Sequence, residues 1–187
     1  MAVPAKWPAP LVPNFSDWSE ADIVLVGNDG TAAGNLIVTS QYASISAATR
    51  AGALYTHAAL YIGNGMLIDS TANAGIAARS VWEYCKDRQL TVRRVPGLSD
   101  TETSQIVSKA KSHDGKAYSW FQLIASKFIP LTEPHPEHLY CSTFVGLVVA
   151  QGSGRKLSSQ WRHRPLHPGT LAGHDGLDTV LLEWRPA

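Results

Sequence analysis

Apolar residues along this chain fall in short runs, broken by glycine, proline and asparagine, and their periods alternate between those of strands and helices. Ala21–Gly27 is a β-branched apolar run that ends in Gly-Asn-Asp-Gly, which predicts a buried strand. Ser40–Arg50, rich in alanine and serine behind Thr39-Ser40, predicts a helix. His57–Ile62 and Met66–Asp69 flank Gly63-Asn64-Gly65, the pattern of two strands joined by a tight hairpin turn. Val81–Cys85 suits a short helix, and Leu90–Val95 alternates as a strand does.

Ser99 and Glu102 form a capping-box pattern ahead of Ile106 and Ala110, which follow helical spacing. Tyr118–Ile129 is amphipathic and closed by Pro130, and 132–138, with Pro134 and Pro136, must be a loop. Cys141–Ala150 then predicts an apolar helix and Thr179–Trp184 a last strand. Residues 1–20 read as an irregular proline-rich lead-in, packed on the body through Trp7, Phe15 and Trp18, and 21–187 as one domain. The sum is an α+β domain whose central sheet has about five to six mostly antiparallel strands packed against helices.

Composition narrows the function. The 187 residues are 44% hydrophobic and 17% charged, enough for a sizeable core. A formal net charge of +1, without a polybasic stretch, leaves no electrostatic footprint for nucleic acid or an anionic membrane. The prolines at 4, 8, 10 and 13 interrupt any signal-peptide core, and no apolar run approaches the roughly 20 residues that span a bilayer. The expectation is therefore a chain made in the cytoplasm without a cleaved signal or a transmembrane segment. Two cysteines, Cys85 and Cys141, are too few for a disulfide scaffold or a four-thiolate zinc site.

Cys141 stands where the proline-broken loop gives way to the apolar run 144–149. A cysteine in the first turn of a helix faces unsatisfied backbone N–H groups and the positive end of the helix dipole, both of which favour the nucleophilic thiolate. His57, a polar residue opening an apolar strand, is the candidate base, and Asp69 the candidate orienting acid. Across a Gly-Asn-Gly turn the two-residue period can bring the carboxylate to the imidazole's face. Cys85 reads as a packed thiol. His135 and His138 lie among prolines, and His163 and His167 are followed by prolines, so no metal or cofactor site is expected; His174 stands apart. The glycine turns lack the lysine of a phosphate cradle, and the six tryptophans are scattered.

The same residues carry a family resemblance. His57-Ala-Ala-Leu-Tyr-Ile-Gly-Asn-Gly-Met-Leu-Ile-Asp69 resembles the histidine segment of NlpC-type papain-like cysteine peptidases, and Tyr140-Cys141-Ser142-Thr143-Phe144-Val145 resembles their nucleophile segment. Gly115-Lys116-Ala117-Tyr118 is similar to the Gly-x-x-Tyr element that precedes the cysteine. Here the histidine precedes the cysteine, as in the circularly permuted branch of YiiX-like and lecithin:retinol acyltransferase-like proteins. Ala21-Asp22-Ile23 resembles that branch's Gly-Asp-Ile strand with alanine for glycine, and the likeness extends to Pro168-Gly169-Thr170-Leu171. Asp69 and Tyr-Cys-Ser-Thr, in place of a second histidine and Asn-Cys-Glu-His, set the chain closer to the YiiX-like side.

The resemblance implies a permuted papain-like fold and a cysteine peptidase or amidase. Cys141 would be the nucleophile and His57 the proton shuttle, with Asp69, or alternatively Asp22, as orienting acid. It makes Tyr118 and Tyr140 substrate or oxyanion contacts, and His138, three residues before the cysteine, would line the groove. The implied substrate is an amide in bacterial peptidoglycan stem peptides. That fits a toxin or effector exported by a signal-independent route, with an immunity or carrier protein as partner. An acyl-lipid thioesterase or acyltransferase, and a silent binding module on the same fold, are the alternatives.

Overall fold

The computed structural model describes residues 5–6, 11–85, 88–116, 140–157 and 166–186. Their core is an antiparallel sheet built from β1 (Ala5–Lys6), β3 (Ile23–Gly27), β4 (Tyr55–Tyr61), β5 (Met66–Thr71), β6 (Gly75–Ser80), β7 (Gln89–Arg94) and β8 (Asp178–Val180). The order is β1-β7-β3-β4-β5-β6, with β8 pairing on β7 beyond the reach of β1. A separate two-stranded ladder joins β2 (Leu11–Pro13) to β9 (Trp184–Pro186).

Side-chain alternation divides the core between the two faces of the sheet. Ile23, Leu25, Ala58, Leu60 and Ile68 face the helices, where they meet Ile106, Val107, Phe144, Val145, Val148 and Leu171. Val24, Val26, Ala59, Tyr61, Leu67, Leu90 and Val92 point the other way, toward Trp18, Tyr84 and Cys85. The helical layer consists of α1 (Ala32–Tyr42), α2 (Ala47–Ala51), α4 (Asp100–Lys111), α5 (Cys141–Ser153) and α6 (Pro168–Ala172), whereas α3 (Trp82–Cys85) lies on the opposite face. Among the described residues no helix is long and apolar enough to cross a membrane.

The turn and cap chemistry explains the element boundaries. Gly63, Asn64 and Gly65 all adopt positive φ, 87°, 54° and 69°, and Met66 N–H closes the turn onto the Gly63 carbonyl. Glycine and asparagine are the residues that tolerate this region. Ser99 and Glu102 form the reciprocal capping box that opens α4. The helix expected over 40–50 is instead two helices, because Thr31 caps the Gly34 N–H and Ser46 caps the Thr49 N–H. The lead-in is also more regular than expected, supplying β1 and β2 and an aromatic cluster in which Phe15 and Trp18 pack against Tyr61. Trp7 and the 118–129 helix lie outside the described residues.

Helix α5 is buried almost all round and packs closely on α4. At their contact a Cβ on Gly152 would come within 2.4 Å of the Ile106 backbone nitrogen and 2.5 Å of its Cα. Backbone cannot yield there as a side chain would, so Gly152→Ala is expected to destabilise the fold by about 1–3 kcal/mol, the usual cost of overpacking. Thermal unfolding of the variant checks this, and an unchanged midpoint would contradict the packing.

Candidate active site

Five elements, β4, β5, β6, α3 and α5, bring the site together, and β4 carries a defect next to its histidine. Val26 pairs with His57, but Gly27 pairs with Tyr55, so Thr56 is an extra residue in β4. Such a bulge reverses which side chains face which way. Tyr55 therefore packs on the helical side with Ala58, while His57 joins the face of Ala59 and Tyr61, where it stacks at a tilt on Tyr84. The bulge is braced from outside. The wholly buried Gln41 of α1 donates to the Ala53 and Tyr55 carbonyls at 2.9 and 2.8 Å and accepts from Gly169 N–H at 2.6 Å. Pro168-Gly169-Thr170 is thus a strut, locked further by a 2.8 Å bond between the Thr170 and Thr49 hydroxyls.

Asp69 lies on β5 opposite Ala59, diagonal to His57 and on the same face. Its Oδ2 is 2.7 Å from His57 Nε2, and Tyr84 O–H donates to the same oxygen. Oδ1 receives Arg79 Nε at 2.8 Å. The carboxylate is fully buried, yet these bonds hold its pKa below the ordinary value: burial pushes it up, and the His57 hydrogen bond and charge, with Tyr84 and Arg79, more than offset that.

Cys141 begins α5, behind Tyr140 as N-cap with no side-chain cap bond. The helix belongs to the other face of the sheet, but β4 and β5 pair only from Ala59 to Tyr61. Ala58, beyond that ladder, bonds the Cys141 sulfur with its backbone N–H, as does Ser142, and the imidazole bonds it as well. With Nε2 committed to Asp69, Nδ1 is the ring nitrogen left for the sulfur. Ser142 Oγ donates to the Leu166 carbonyl and so ties the helix start to the segment leading into α6.

The electrostatics follow from this packing. Burial raises the Cys141 thiol, but the His57 charge and hydrogen bond and two backbone N–H groups bring it below its ordinary value. Burial alone would lower His57, yet the facing sulfur and Asp69 lift it to about 10. Both shifts favour a thiolate–imidazolium pair. Cys85 shows the contrast: its thiol donates to the Val81 carbonyl at 2.8 Å, among the described residues no positive group lowers its pKa, and burial pushes it up.

Asp22 is elsewhere. It lies opposite Tyr61, at the far end of β3 from the Val26–His57 pair, and its oxygens take a two-pronged bond from Arg94 at 2.7 and 2.8 Å. It also accepts from Ser19 N–H at 2.8 Å, closing a turn in which Ala21 has φ 68°. That conformation explains why glycine suits the position and what alanine must tolerate. Asp69, and not Asp22, is therefore the acid that His57 touches. Tyr140 is buried at the start of α5, and Tyr118, His135, His138 and His163 lie outside the described residues. His174 accepts from Gly176 N–H within its own turn.

Arg79, Tyr84 and Gln41 were not among the sequence candidates. The strand that carries Arg79, Gly75–Ser80, is rich in alanine and glycine and gives no strand signal. Tyr84 is visible only once a short helix brings it over the sheet.

No family model matches the chain, and no curated protein matches its sequence. Among solved structures, the fold is similar to that of the metalloprotein YiiX from Escherichia coli O157:H7, a DUF1105 protein. The likeness covers 89% of this chain and 98% of that one, with a TM-score of 0.64 at 18% identity. It is a likeness of fold, and it matches the α+β architecture described above.

The two acids separate by experiment. Asp69→Asn is expected to slow alkylation of Cys141 at about pH 6 roughly tenfold, the cost of losing about one pKa unit of thiolate stabilisation. Asp22→Asn should leave that rate unchanged while lowering unfolding stability by about 2–3 kcal/mol through its weakened bond to Arg94. The opposite assignment of effects would contradict the geometry.

Proposed function

We propose that the protein is a cysteine hydrolase that cleaves an amide, with Cys141 as nucleophile, His57 as acid and base, and Asp69 as orienting acid. The observation that carries this reading is the continuous contact from the α5 N-terminal sulfur through His57 to the buried Asp69 carboxylate at 2.7 Å. In the proposed reaction the Cys141 thiolate adds to the carbonyl carbon, and the carbonyl π pair moves onto oxygen. In this reading the Cys141 backbone N–H, at the helix start, donates a hydrogen bond to that oxyanion. Collapse of the adduct expels the amine, which takes the proton from His57, and leaves a thioester. Water, deprotonated by His57, then attacks the thioester, releasing the acid and restoring the thiolate.

A metal does not fit these residues. The oxygens of Asp69 are occupied by His57, Tyr84 and Arg79, and among the described residues no three His, Cys, Asp or Glu side chains converge on a common point. The metalloprotein character of the structural neighbour therefore supplies no step here.

The substrate we favour is a peptide amide of bacterial peptidoglycan stems, reached after signal-independent export, with an immunity protein guarding the producing cell. One feature supports acyl-lipid hydrolysis or transfer as the second reading. From Thr31 to Thr49 the chain has no charged residue, and Leu36, Tyr42 and Ile45 are exposed on this stretch. Leu54, also exposed, stands one residue before the strand that carries His57, and its carbonyl accepts from Asn28 N–H. An exposed apolar surface is what an acyl chain would need, and Arg50, bonded to the Ser44 and Ile45 carbonyls at 2.6 and 2.8 Å, is the charge that borders it.

Incubating the wild type and Cys141→Ala with peptidoglycan fragments and with phospholipids, and reading products by mass spectrometry, decides between the readings. Stem-peptide cleavage by the wild type alone is expected; acyl release would favour the second reading, and no product from either would contradict both. Hydrolysis needs thiolate and imidazolium together. Its rate is expected to rise through the lowered Cys141 pKa and fall as pH passes about 10, where His57 loses its proton. His57→Ala should reduce it by about 10²–10⁴-fold.

A further inference from the structure

Asp69 is held by more than its histidine. We propose that Arg79 and Tyr84 are positioning residues of the same site, which keep Asp69 an oriented anion so that the Cys141–His57 ion pair is stable out of water. The inference rests on the hydrolase reading and extends it.

The charges of the site must balance. A thiolate, an imidazolium and a carboxylate together leave one uncompensated negative charge in a site where Cys141 is 8% exposed and Asp69 is fully buried. An unbalanced buried charge is expelled by protonation. Arg79 brings the sum to zero, its Nε bonding Asp69 Oδ1 at 2.8 Å. Without it, Asp69 would take a proton more readily, and His57 would face a neutral partner.

Ala77, small and opposite Asp69, leaves room for Arg79 to cross diagonally from its own position opposite Leu67. The guanidinium is set by a second bond, Nη2 to Thr71 Oγ1 at 3.0 Å, and Glu83 of α3 lies within its field. Tyr84 approaches the other oxygen from α3. Burial and the adjacent carboxylate raise its pKa, so the hydroxyl stays protonated and must donate to Asp69. The hydroxyl oxygen is 3.3 Å from His57 Nε2, and Arg88, paired with Asp29 at 3.1 Å, lies over the Tyr84 ring. Each carboxylate oxygen is thus fixed from a different element, and rotation of the carboxylate would break both sets of bonds at once.

The test is the pH dependence of Cys141 alkylation by iodoacetamide in the wild type, Arg79→Gln, Arg79→Lys and Tyr84→Phe, with thermal unfolding in parallel. Arg79→Gln is expected to move the acid limb of the profile upward by about one pH unit, which is about a tenfold slower reaction at pH 6. Arg79→Lys should recover most of that shift, because it restores the charge but not the fork. Tyr84→Phe should move the limb in the same direction by less. A residue that merely stabilises the fold would lower the unfolding midpoint and leave the limb in place. An unmoved limb in a folded Arg79→Gln protein, beside a fast wild type, overturns this inference alone. If that variant does not fold, unmoved limbs in both Arg79→Lys and Tyr84→Phe overturn it. A wild type no faster than a free cysteine overturns the hydrolase reading first, and this inference with it.

Discussion

The hydrogen bond between His57 and the buried carboxylate of Asp69 is the interaction on which the rest of the structure turns. A carboxylate with no solvent exposure is stable as an anion only if its neighbours replace water's hydrogen bonds. Here they come from a strand, a second strand and a short helix, and each contact restricts where those elements can lie. The sheet register places Asp69 diagonal to His57, the hairpin of three positive-φ residues sets that register, and strand alternation from Ala59 puts the imidazole on the same face. A shift of one residue anywhere in this series would move the carboxylate to the other side of the sheet.

The nucleophile arrives from the opposite layer. Helix α5 belongs to the main core, and its position is set by packing on α4 and by Leu166 and Leu171, not by the polar site. Contact with His57 is possible because the β4–β5 ladder stops at Ala59 and leaves the Ala58 N–H available to sulfur. A hydrophobic helix and a polar strand end therefore meet at a gap in the sheet. The resulting pair draws on a helix terminus, a backbone N–H and an imidazolium, three modest effects that act on one sulfur.

Local signals in the chain revealed those parts whose physics is local. The capping box at Ser99, the Gly-Asn-Gly turn and the break before Cys141 depend on residues within a few positions of one another. His57 was conspicuous as a polar residue opening an apolar strand. The braces were hidden because their chemistry appears only on folding. Gln41 meets Gly169 across 128 residues, and Arg79 reaches Asp69 only after an alanine-rich strand pairs. Asp22 drew attention as an acid on the opening strand, and its partner Arg94, 72 residues away, was equally silent. The bounds of the two helices over 32–51 are hidden because serine and threonine recur there, and caps form at only two of them.

Everything in the proposed chemistry requires that Cys141 rest as a thiolate beside a protonated His57. Ultraviolet thiolate absorbance of the wild type, with that of Cys141→Ala subtracted, measures it directly across pH without any substrate. The expected thiolate signal persists well below the ordinary thiol range of about 8.5 and disappears in His57→Ala at neutral pH. A difference signal that titrates as a free cysteine does, and is indifferent to His57, would contradict that pairing.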